Sequence, residues 1–189
     1  NTQVVDLETG KFTDAVDPAN YDQRKASKDP ARSTDLSPDE DLAKISRREE
    51  YALVYMIEGD SGLETIVLPV RGYGLWSTLY GFLALDSDLN TVRGLGFYEH
   101  GETPGLGGEV DNPSWKAQWE GKQAYDSDGD VELTVIKGKV DPQSKDADHQ
   151  VDGLSGATLT SRGVANLIHF WLSEDGYKPF LTNLKNGEA

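Results

Sequence analysis

One stretch concentrates groups that can handle an anion: Asp152-Gly153-Leu154-Ser155-Gly156-Ala157-Thr158-Leu159-Thr160-Ser161. Ser155, Thr158, Thr160 and Ser161 place hydroxyls where a small-residue loop opens into a helical pattern. Val164, Leu167, Ile168 and Trp171 follow at i, i+3, i+4 and i+7, the spacing of one buried helical face. A helix leaves its first N–H groups unpaired, and the positive end of its dipole lies there, so a phosphate suits this place. Gly153 and Gly156 permit tight or left-handed turns and a close approach to a ligand. The plainer reading is an ordinary helix cap, with Thr160 or Ser161 as the capping residue.

A second pair of segments offers flat and polar surfaces. Gly72-Tyr73-Gly74-Leu75-Trp76-Ser77 sets a Trp on a glycine-rich corner. His100 to Glu109 holds four glycines and a proline in ten residues, a composition that fits neither a strand nor a helix. Trp76 and Leu106 are of the type that clamps an aromatic ring from two sides. Glu102 and Thr103 are of the type that meets polar ring edges. The plainer alternative is that Trp76 covers the core and the glycines only turn the chain.

The elements that must position these residues read as α+β. Tyr51–Ile57 and Leu63–Val70 form a predicted hairpin, followed by strands at Thr78–Leu85 and Thr91–Glu99. Four strands in meander order imply an antiparallel sheet, with helices packed on it and the loops gathered at one edge. Asn112-Pro113 starts a short helix with Trp115 and Trp119 one turn apart. Val131–Ile136 is a further predicted strand, and 137–150 a charged connector. Gly176 is expected to cap the long helix, and Tyr177–Leu184 to form a last short helix. Ser37-Pro38-Asp39-Glu40 is a helix-start signal, predicting a helix to about Arg47. Residues 1–37 read as a polar, partly irregular lead-in, and 38–189 as the domain proper.

Composition narrows the function classes. At 189 residues, with 37% hydrophobic and 27% charged residues, the chain suits one ordinary domain with a core. No run approaches the apolar length of a membrane span. The chain begins at Asn1 rather than Met, which reads as a mature or trimmed form. A net charge of −15 disfavours nucleic acid and anionic lipid as partners. The absence of Cys removes thiolate catalysis, disulfides, iron–sulfur ligation and cysteine zinc sites. His100, His149 and His169 share no ligand spacing, so no metal site is expected. No paired-carboxylate or Ser-His-Asp arrangement argues for catalysis on a diffusing substrate.

The string Asp-Gly-x-Ser-Gly-Ala-Thr followed by a Ser/Thr pair resembles the flavinylation motif of FMN-binding domains. Leu-Pro-Val at 68–70, Gly-Leu-Trp-Ser at 74–77, Gly-Glu-Thr-Pro-Gly-Leu-Gly-Gly-Glu-Val at 101–110, Asn-Pro-x-Trp at 112–115 and Phe-Trp-Leu at 170–172 extend the likeness. Together they are similar to the C subunits of sodium-translocating NADH:quinone oxidoreductases, from about residue 47 to the end. The resemblance implies FMN held by a phosphoester on Thr158, attached from FAD by a flavin transferase. It puts Ser155, Gly156, Ala157 and Thr158 around the phosphate and Trp76, Glu102, Thr103 and Leu106 along the ring, with Leu159, Thr160 and Gly107 also in the cofactor-binding set. Asp152, the motif's acid, is expected to aid attachment. The family's flavin passes electrons singly between redox centres of neighbouring subunits, so the domain alone is expected to show no turnover. A membrane helix preceding Asn1 and a soluble domain facing the periplasm of the bacterial inner membrane are also implied. The equivalent subunit of the related Rnf complex, which shares the motif and the Pro-Gly-Leu-Gly core, is an alternative. So are a docking or assembly module without working flavin and a free-standing flavodomain reductase; for the last, no nicotinamide fingerprint is present.

Overall fold

A computed structural model describes residues 1–189. In chain order its elements are β1 (Thr2–Asp6), β2 (Lys11–Phe12), α1 (Gln23–Ala26), β3 (Ser33–Asp35), β4 (Arg47–Glu49), β5 (Tyr51–Gly59), β6 (Gly62–Tyr73), β7 (Thr78–Asp86) and β8 (Val92–Glu99). Then come α2 (Pro113–Ala117), β9 (Thr134–Val135), β10 (Gln150–Val151), α3 (Thr158–Leu172) and α4 (Lys178–Asn186). The main sheet has six strands in the order β2-β1-β5-β6-β7-β8, every pair antiparallel. The expected α+β class and four-strand meander are present.

Strand β7 shows why the sheet has one inner face. Leu79, Leu83 and Leu85 are buried, while Tyr80, Phe82 and Ala84 between them are half-exposed. Over that inner face lies α3. Val164, Leu167, Ile168 and Trp171, at the predicted helical spacing, are all fully buried. Fixing details are polar: the Trp171 indole donates to the Arg71 carbonyl at 2.8 Å, and the Tyr177 hydroxyl donates to the Pro69 carbonyl at 2.6 Å.

Antiparallel pairing also fixes where the loops go. Tyr73 ends β6 opposite Thr78 at the start of β7, and Glu99 ends β8 opposite Tyr80. The 74–77 corner and the exit of β8 therefore leave the sheet at the same end.

Several expectations are corrected. The lead-in is ordered at its start, because β1 pairs with β5 from Thr2↔Tyr55 to Asp6↔Tyr51 and buries Val4 and Val5. No helix follows Ser37. The reciprocal cap forms, with Ser37 N donating to Glu40 Oε1 at 3.1 Å and Glu40 N to Ser37 Oγ at 3.3 Å. The Asp41 carboxylate then takes the Ile45 and Ser46 N–H groups, and Lys44 and Ser46 adopt positive φ, so the chain turns into β4. The strand expected over Val131–Ile136 shrinks to β9, which pairs in parallel with β10 outside the main sheet. Ser173, not Gly176, caps α3. The actual left-handed C-terminal glycine is Gly187, after α4.

Candidate functional site

Three segments meet at that end of the sheet, and Glu102 joins them. The side chain is buried, at 5% exposure, and both oxygens are engaged. Oε1 accepts from Leu75 N at 2.8 Å and from the Thr160 hydroxyl at 2.7 Å; Oε2 accepts from Trp76 N at 3.1 Å and from the Ser77 hydroxyl at 2.7 Å. Corner, loop and helix are thus tied to one carboxylate. Burial raises its pKa, but the four donors outweigh burial, and the pKa stands below the ordinary glutamate value.

Small residues permit the approach. A Cβ on Gly107 would fall 2.5 Å from the Thr160 hydroxyl oxygen, and one on Gly163 would fall 2.5 Å from the Tyr73 carbonyl. Gly156, at φ +71°, turns the motif so that Leu106 lies against it.

Helix α3 begins at Thr158, three residues earlier than a cap at Thr160 would allow. Its N-cap is Ala157, and no side chain caps it. Ser161 instead reaches back, its hydroxyl accepting from Leu154 N at 2.9 Å, which holds the loop onto the helix. Asp152 secures the loop from the other side. Its carboxylate accepts from Val140 N at 2.8 Å and from the Gln118 amide at 3.3 Å, and its carbonyl accepts from the Trp115 indole at 2.8 Å.

The exposed Thr158 lines a cleft of about 340 Å³ that also includes Lys137, Gly138, Gly153 and Arg162. Arg162 lies one turn beyond Thr158 on the same helix face. Sequence reasoning passed over Arg162 and Lys137; the i+4 spacing from the motif threonine was the available signal for the first. Leu159 lines a neighbouring cleft of about 220 Å³ with Tyr73, Gly74, Leu75 and Arg162. Large apolar side chains stand open here: Trp76 is 64% exposed, Leu159 50% and Leu106 45%.

The structure therefore brings together Trp76, Glu102, Leu106, Gly107, Gly156 and Thr160. Thr158 and Leu159 occupy the adjoining first turn of α3. Ser155 and Thr103 are exposed on the flanking loops, and Ala157 is buried beneath the helix start. Thr103 contributes through its carbonyl, which accepts from Leu106 N and Gly108 N. The arrangement suits an elongated ligand with an anionic end and a flat apolar end. The uncapped N–H groups, Thr158, Arg162 and Lys137 match the first, and the exposed Trp76, Leu106 and Leu159 match the second.

Residues 74–173 match the FMN-binding domain family. The chain is 66% identical over 187 residues to the C subunit of the Na(+)-translocating NADH-quinone reductase of Pseudomonas aeruginosa, covering 99% of this chain and 72% of that protein. It is 50% identical over 186 residues to the protein of the same name from Vibrio alginolyticus, covering 98% and 71%. Among solved structures, Shewanella oneidensis NqrC superposes with a TM-score of 0.90 at 38% identity, covering 98% of this chain and 84% of that one.

Proposed function

The chain belongs to the FMN-binding domain family and, within it, to the C subunits of Na(+)-translocating NADH-quinone reductases; on that premise we propose that it carries its FMN covalently on Thr158. It is an electron-transfer subunit of an oxidoreductase complex, and its partners include the other subunits of that complex. FMN, when bound, supplies the redox chemistry and passes electrons singly.

The protein's own residues hold and orient. The observation that carries the covalent reading is the state of Thr158: an exposed hydroxyl at the first position of an uncapped fifteen-residue helix, on a cleft shared with Arg162 and Lys137. A phosphodiester there would be held by the uncapped α3 N–H groups, with Arg162 and Lys137 lining the same cleft. Trp76, Leu106 and Leu159 offer apolar contact to the ring. Glu102 and Thr160, bonded to each other, act by keeping the corner, the loop and the helix in fixed relation. Asp152 holds the motif loop against α2 in the geometry a transferase must recognise.

A flavin transferase using FAD as donor makes the attachment. The domain faces the periplasm, held at the membrane by a segment that precedes this sequence in the full-length protein. No helix of the structure is long and apolar enough to cross a membrane. The test is colour after denaturation. Protein co-expressed with the transferase should stay yellow in guanidinium and on desalting, Thr158→Ser should retain part of the colour, and Thr158→Ala should lose it. Flavin that survives denaturation in Thr158→Ala would move the attachment elsewhere.

A further inference from the structure

The loop that carries Glu102 and Leu106 is closed at its base by a side chain that none of the expected site roles uses. His100 directly follows β8. The Glu102 backbone nitrogen lies 3.1 Å from His100 Nδ1, and His100 Nε2 lies 2.7 Å from Asp111 Oδ2. A backbone N–H only donates, so Nδ1 must present its lone pair. The neutral ring then carries its hydrogen on Nε2, which donates to Asp111. Asp111 ends the 3₁₀ turn Gly107–Asp111, so one imidazole ties the start of the loop to its end. The ring is largely enclosed, with 12% of the side chain exposed.

Successive amides at the loop start are pinned separately. Gly101 N donates to the Ser77 hydroxyl at 2.8 Å, and Glu102 N donates to His100. Ser77 in turn donates to the Glu102 carboxylate. The backbone of residue 102 is therefore fixed from one side by the corner and from the other by the imidazole. Its carboxylate has four partners at 2.7–3.1 Å, a geometry that tolerates little displacement of the backbone beneath it.

We propose that His100 is a positioning residue of the flavin site: by accepting the Glu102 N–H while anchored to Asp111, it sets where the Glu102 carboxylate stands. Through that carboxylate it sets the Leu75 and Trp76 amides and the Thr160 hydroxyl. The proposal rests on the flavin reading above only in calling this a flavin site. The charged group bonded to the imidazole is Asp111, at Nε2.

Two substitutions separate the ring's two contacts. An Asn side-chain oxygen falls near the place of Nδ1, and a Gln side-chain nitrogen falls near the place of Nε2. His100→Asn keeps an acceptor for Glu102 N–H and gives up Asp111. His100→Gln keeps the donor to Asp111 and gives up the acceptor. The first readout is the amide proton resonances of Leu75 and Trp76 in the flavin-free protein, which a carboxylate acceptor moves downfield. They should stay in place in His100→Asn and move upfield in His100→Gln. In flavin-loaded protein the midpoint potential should follow the same order, unchanged in the first and shifted in the second.

Equal effects of the two substitutions, the reverse order, or no effect of either would overturn the proposal. Should His100→Gln not fold, the long-range proton–nitrogen spectrum of the unsubstituted protein decides. A bare Nδ1 and a protonated Nε2 are expected, and the opposite tautomer would sink the idea. The amide and tautomer readouts need no flavin, so they stand even if intact mass shows Thr158 unmodified, a result that would count against the proposed function alone.

Discussion

Glu102 shows what a single residue does here. Its carboxylate collects donors from positions 75, 76, 77 and 160, which are distant in sequence. Replacing it with Gln turns one acceptor oxygen into a donor facing donors. Hydrogen bonds to a charged group are worth about 1.5–3 kcal/mol each, so Glu102→Gln should destabilise the fold by about 2–3 kcal/mol, read as a lower denaturant midpoint. The pH dependence has a definite sign. The folded pKa is depressed, so the stabilisation is fully present above the unfolded value of about 4.3 and is lost as pH falls through the lower folded value. Acid titration of stability should show this loss, and Glu102→Gln should remove that part of it. Arg162 makes a second prediction. Substitution by Ala should slow transferase-dependent flavin loading by roughly twofold to fivefold in a mass time course, the scale of an exposed charge contact. The Thr158 motif was legible in sequence because its chemistry is local. The contact between Glu102 and Thr160 was not, because it is made across 58 residues by tertiary packing.

At the scale of elements, α3 both completes the core and presents the motif. Its four-residue buried face could be read from periodicity, and all four residues are fully buried. Its contact with the corner depends on Gly163, where a Cβ would stand 2.5 Å from the Tyr73 carbonyl and 2.9 Å from Gly74 Cα. Gly163→Ala should therefore cost about 1–3 kcal/mol by overpacking, despite the better helix propensity of Ala. Thermal unfolding would measure the cost, and an unchanged or raised Tm would contradict the tight approach. The segment after Ser37 marks a limit of local reading. Its capping box is fully formed, yet Asp41 captures the next amides and the chain turns away. A start signal propagates into a helix only if the residues behind it have no better partner. The strand expected at Val131–Ile136 shortened for a related reason: only Thr134 and Val135 find a ladder, and its partner is β10 rather than the main sheet.

At the scale of the molecule, the first residues belong to the sheet. Val5 is fully buried, Val4 and Leu7 nearly so, and Gln23 bonds Glu49 at 2.9 Å. Glu49 in turn holds Arg71 of β6 at 2.7 Å. Burying each such aliphatic side chain is worth about 1.5–3 kcal/mol, so removing residues 1–37 should lower stability by several kcal/mol and expose the edge of β5. A division at residue 37 as an independent boundary predicts the opposite, a shortened chain with an unchanged Tm. Polar composition hid β1 because only two of its five residues are buried, and of these only Val5 joins the hydrophobic core. The α+β class was legible, because the aromatic and β-branched runs of β5–β8, bounded by turn residues, and the periodicity in α3 are strong signals.

Whether FMN is joined to Thr158 is decided by the intact mass of this chain co-expressed with and without a flavin transferase, followed by peptide mapping. A transferase-dependent gain equal to FMN minus water, confined to the peptide that contains Thr158, is the expected result. A folded protein with no gain in either culture, or a gain on another peptide, would contradict it.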